Sequence, residues 1–212
     1  MRLSQRPFQR HRTFVPRFTL GLFVAVLAGC QSQSPPPPPV SAVVVSEPDV
    51  SRQTALAREL TRQAKEQIDR QDYDQAEDTL KRAVAADPLY GPVHNDLGLI
   101  AYHQGRLWEA AWEFQNAAKL LPNHAEPINN LGLTLERGGK LEEAEEQYAQ
   151  AFTIDPTNPI YAGNQARARV RLYRFDEQTR QLLQFVIFHD TRPSWVDWAR
   201  LTLTRIQPSS EN

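Results

Sequence analysis

From residue 57 onward the chain repeats itself every 34 residues, and this period constrains the fold more than any other feature. Pro88, Pro122 and Pro156 keep the spacing, as do Ala76, Ala110 and Ala144, and again Ala83, Ala117 and Ala151. Leu97-Gly98 returns as Leu131-Gly132, and Gly105 as Gly139. A repeat of this length is one supersecondary unit that cannot bury its apolar face alone, so successive units must stack. Inside a unit the apolar period is helical. Leu97, Gly98 and Ala101 mark one face over 94–104. Leu107, Ala110, Ala111, Phe114, Ala117, Ala118 and Leu121 form a broad stripe over 107–121. Gly105 and Gly139 fall between the paired helices, where a left-handed residue closes the first one. The prolines end the second. No alternating strand pattern interrupts the region, so an all-α fold is expected.

Residues 91–124 carry Leu97-Gly98, Ala110 with Phe114, Ala117 and Pro122; residues 125–158 carry Leu131-Gly132, Ala144 with Tyr148, Ala151 and Pro156. This pattern resembles the tetratricopeptide repeat (TPR). The resemblance implies a right-handed superhelical solenoid of three to four helix pairs over 57–192. Unit 57–90 is weaker, with Gln63-Ala64 in place of Leu-Gly. Unit 159–192 diverges, with Gln165, Gln178 and Phe185 at packing positions. Residues 193–212 are expected to supply a capping helix and tail, with Trp195, Trp198 and Leu201 as the capping face.

The start of the chain is of a different kind. Residues 1–29 hold five arginines and no acid, and Phe18–Ala28 is an apolar run of eleven residues. That is a secretory-signal pattern, too short for the roughly 20 residues a membrane-spanning helix needs. The chain's single cysteine follows directly. Leu27-Ala28-Gly29-Cys30 resembles the lipobox of bacterial lipoproteins. The resemblance implies cleavage before Cys30 and acylation there, and acyl chains stabilise membrane attachment by about 0.8 kcal/mol per buried CH₂. Gln31 at the next position is compatible with the outer membrane. Residues 30–56 then read as a tether, stiffened at Pro35–Pro39 into polyproline II.

Without residues 1–29, 19 basic residues face 25 acidic ones, which argues against a nucleic-acid partner. The chain shows no phosphate loop, no His-Glu-x-x-His and no nucleophile elbow. His94, His103, His124 and His189 lack a partner histidine at i+3 or i+4, so no catalytic residue, metal or cofactor is expected. The acidic run Glu142, Glu143, Glu145 and Glu146 reads as a solvated helix face. What remains is binding. The TPR resemblance implies a groove lined by the first helix of each unit, which places there Asn95, Leu99, Tyr102 and His103, then Asn129, Leu133, Glu136 and Arg137, then Arg167 and Arg171. Arg167, Arg171 and Arg174 would share a helix face. Two readings stand: a clamp for a partner's carboxylate, or charges that balance the acidic repeats or stay solvated. On the opposite side, Trp108 and Trp112 share a face, either as partner anchors or as contacts covered by another segment. The resemblance as a whole implies a lipid-anchored protein or peptide adaptor of the bacterial envelope. Such an adaptor either assembles a secretion or pilus complex or recruits periplasmic hydrolases or proteases.

Overall fold

The structure, a computed structural model, describes residues 47–206. The expected signal segment 1–29, Cys30, the Pro35–Pro39 run and the tail 207–212 lie outside the described residues. Within them are nine helices and no strand: α1 (Glu47–Asp69), α2 (Tyr73–Ala86), α3 (Gly91–His103), α4 (Leu107–Leu120), α5 (Ala125–Arg137), α6 (Leu141–Ile154), α7 (Pro159–Arg171), α8 (Glu177–His189) and α9 (Pro193–Ile206). Consecutive helices pack as four antiparallel pairs, each pair leans on the next, and α9 closes the stack against α8. The result is the all-α helical repeat solenoid that the period implied.

The repeat is kept more faithfully by the backbone than by the side chains. Left-handed residues stand at Gln71 (φ 64°), Gly105 (φ 78°), Gly139 (φ 81°) and Tyr173 (φ 57°), one in each turn inside a pair. Glycine relieves that conformation at two of the four sites, while Gln71 and Tyr173 adopt it without that relief.

Close approach inside each pair follows a second rule. A Cβ on Gly132 would lie 2.6 Å from the ring of Tyr148, so helix backbone and ring touch directly. In the first and fourth units the residue at the glycine position is Ala64 or Ala166, and the crossing residue shrinks to Leu80 or Leu182. All four are buried.

Four expectations need correction. Helix α1 begins at Glu47, inside the stretch assigned to the tether. Pro48 sits in its first turn, where no intrahelical hydrogen bond is lost. Further along, Ala57, Leu60, Thr61 and Ala64 give it a buried stripe, and Thr54 donates to Asp87 at 2.6 Å. Glu145 is buried, not solvated, and pairs with Arg169 and Arg174. Arg174 does not continue the face of Arg167 and Arg171, because α7 ends at Arg171 and the left-handed Tyr173 turns the chain away. Finally, Leu201 is exposed; the inward side of α9 is carried by Ala199 and Thr202, with Trp195 and Trp198 half-buried. Those two buried residues fall at the repeat positions of Leu131 and Thr134, and Pro193 falls at that of Pro159. Helix α9 therefore stands in register as the first helix of a fifth unit.

Candidate binding surface

First helices touch across units, α1 with α3 and α3 with α5, and so line one continuous inner side. The expected groove residues come together there, but many are already engaged. Asn95 and Asn129 are buried. Asn130 Nδ2 donates to Asn95 Oδ1 at 3.1 Å, and Asn164 Nδ2 donates to Asn129 Oδ1 at 2.8 Å. The same asparagine bridge thus joins unit two to three and unit three to four. A buried amide needs such a partner. Leu99, Tyr102 and Leu133 remain half-buried. Arg137 is exposed, lies 5.0 Å above the Tyr102 ring and donates to the Tyr102 carbonyl at 2.6 Å. His103, also exposed, stacks on Tyr73 with ring centroids 5.6 Å apart.

Arg167 and Arg171 converge on one residue, Glu136. Arg167 reaches it through Nε at 3.2 Å and Nη2 at 2.8 Å, Arg171 through Nη1, and the Tyr148 hydroxyl donates to it at 2.6 Å. Burial opposes the charge on Glu136, yet the hydrogen bonds from Arg167 and Tyr148 hold its carboxyl below the usual range. Burial, reinforced by that bond to Glu136, pushes the Tyr148 phenol well up. The geometry therefore favours the second reading of these arginines, in which they balance acidic repeats. Arg167 also lies 5.0 Å over Trp195, which Arg192 flanks at 4.5 Å. Glu136, Asn130, Asn164 and Tyr148 were not singled out in the sequence as a network. The signal was there in the register: Glu136 precedes Arg171 by 35 residues, as Asn95 precedes Asn130.

One buried carboxyl stands apart. Asp96 is buried beside Asn95 and its Oδ2 has no partner among the described residues. Burial pushes its carboxyl up to about 6, against the opposing pull of Lys65.

On α4 the indoles of Trp108 and Trp112 stack in parallel, 6.3 Å between centroids, and are 81% and 52% exposed. They carry the largest apolar area left open on that helix. Among the described residues no group of three or more His, Cys, Asp or Glu side chains is placed to hold a metal ion. No helix there is long and apolar enough to cross a membrane.

Comparison with known proteins agrees with this geometry. Tetratricopeptide-repeat profiles match residues 61–125 and 125–158, the second coinciding with the third unit. Residues 61–158 thus match tetratricopeptide-repeat models. The fold is similar to the first TPR of Spaghetti (RPAP3) bound to the HSP90 peptide SRMEEVD, at 18% identity, TM-score 0.55, and 57% of this chain over 95% of that one. It is also similar to a tetratricopeptide repeat protein from Parabacteroides merdae, at 19% identity, TM-score 0.62, and 72% over 60%. A third similar structure is MamA, at 17% identity, TM-score 0.55, and 70% over 81%. No curated protein matches the sequence.

Proposed function

We propose that this chain is a non-catalytic adaptor that holds partner proteins at the membrane of a bacterial envelope. Acyl chains on Cys30 anchor it to the outer membrane, and the repeats face the periplasm, where they scaffold a secretion, pilus or cell-envelope complex. The anchor rests on the Leu27-Ala28-Gly29-Cys30 motif behind a basic and apolar leader. The binding role rests on one observation: Leu99, Tyr102 and Leu133, on consecutive first helices joined by fixed asparagine bridges, are only half-buried. A rigid, part-apolar surface with its polar groups already positioned suits a peptide segment of a partner. The RPAP3 domain of similar fold holds such a segment.

The Trp108–Trp112 pair supports a second contact surface, because exposed, stacked indoles are strong anchors.

Photo-crosslinking residues at Leu133 and Trp112, one at a time, in the full chain produced in bacteria would test both surfaces. The adaptor reading expects a defined protein adduct from Leu133 that Leu99→Asp abolishes. Adducts from Trp112 alone would move the site to α4, and none from either would overturn the reading. Cys30→Ser must abolish palmitate labelling; retained labelling would refute the anchor.

A further inference from the structure

We infer that Glu136 is a built-in occupant of a carboxylate site formed by Arg167 and Arg171, and that it makes this part of the inner side refuse acidic peptide ends. The inference rests on the inner side being the surface that takes a partner.

The geometry leaves no vacancy. Glu136 Oε1 accepts from Arg167 Nε and Arg171 Nη1, and Oε2 accepts from Arg167 Nη2 and Tyr148 OH. A carboxylate offers about four lone-pair sites, and all are used. Arg167 meets it in the two-pronged manner that guanidinium and carboxylate prefer, while its flat face lies on Trp195. Swinging the arginine out would break both contacts. Glu136 is itself only 12% exposed.

An incoming carboxylate would compete with one fixed to the same rigid stack, whose effective concentration is about millimolar or higher. Winning would also strip the acceptor from Tyr148, whose side chain is buried. The partner segment crossing α5 and α7 is therefore one without a terminal or side-chain acid at this point. Glu136 thus determines specificity by exclusion.

A fluorescent SRMEEVD peptide, as the free acid and as the C-terminal amide, would be titrated by anisotropy into the full chain. Wild type should show no preference for the free acid. Glu136→Ala should prefer it by at least about tenfold, the scale of a charge-assisted bond gained. Adding Arg167→Ala and Arg171→Ala should remove the preference. Two results would overturn the inference: a wild-type preference for the free acid that is lost with the two arginines, or no preference in a folded Glu136 variant. Should Glu136→Ala lose its helical circular dichroism, Glu136→Ala with Tyr148→Phe, which leaves no buried hydroxyl without an acceptor, takes its place under the same criteria. The peptide comparison needs no native partner, so missing adducts at Leu133 would sink the adaptor reading and leave this result to stand or fall separately.

Discussion

A Cβ placed on Gly98 would stand 2.7 Å from the ring of Phe114, so α3 and α4 meet through hydrogen rather than through a side chain. Gly98→Ala should therefore destabilise the protein by about 1–3 kcal/mol through overpacking, although alanine gains about 1 kcal/mol of helix propensity over glycine. Phe114→Leu makes room, as Leu80 does opposite Ala64 in the first unit. The double variant should then be more stable than the sum of the single effects by at least about 0.5 kcal/mol. Urea denaturation of all four proteins measures this coupling, and additive losses would refute the pairing.

The left-handed sites make the opposite demand. Tyr173 holds φ 57° with its side chain 83% exposed, so little packing repays the strain. Tyr173→Gly should raise stability by up to about 1 kcal/mol, whereas Gly139→Ala should lower it by a similar amount. If both changes shift the thermal midpoint in the same direction, backbone strain is not what distinguishes them.

These two columns show why some of the fold could be read in the sequence and some could not. Gly105 and Gly139 announce their turns because glycine is the residue that the conformation favours. Gln71 and Tyr173 occupy the same turns and announce nothing, since the geometry is imposed by the packed helices on either side. The inner side behaved similarly. Its helices followed from the 34-residue register. What each charge does depends on a partner one unit away, so a reading along single helices left two roles open for Arg167 and Arg171, which Glu136 already holds. Glu145 went astray for the same reason: its run of acids reads as surface until Arg169 comes across from α7.

That buried pair gives a stability test. The side chains of Glu145 and Arg169 are 9% and 7% exposed, and Arg174 and Gln165 also donate to the carboxylate. Glu145→Ala leaves a buried guanidinium short of its partner and should cost about 3–5 kcal/mol. Glu143→Ala removes only an exposed pair with Lys140 and should stay within about 0.5 kcal/mol of wild type. Similar melting temperatures for the two variants would return Glu145 to the surface.

His94 supplies a pH test. Its Nδ1 lies 2.8 Å from Glu113 Oε2 and its Nε2 lies 3.1 Å from the Pro88 carbonyl. Both partners accept, which suits the imidazolium form with a donor on each ring nitrogen. The hydrogen bond it donates to Glu113 raises its pKa, burial opposes the rise, and the Pro88 carbonyl adds to it. A raised value stabilises the fold fully below the unfolded value of about 6.5, and the contribution fades as pH climbs through the folded value. The stability gap between wild type and His94→Gln should be widest in mild acid and close in mild alkali. A gap independent of pH would mean that the charge on His94 plays no part.

Helix α9 also says how far the stack can run. It occupies the register of a fifth first helix, and the residue at its glycine position is Arg200, with a side chain 63% exposed. A helix laid across α9 as α4 lies across α3 would meet a guanidinium stem where the others meet a hydrogen atom or a methyl group. A further unit grafted onto this protein would thus need something small in place of Arg200.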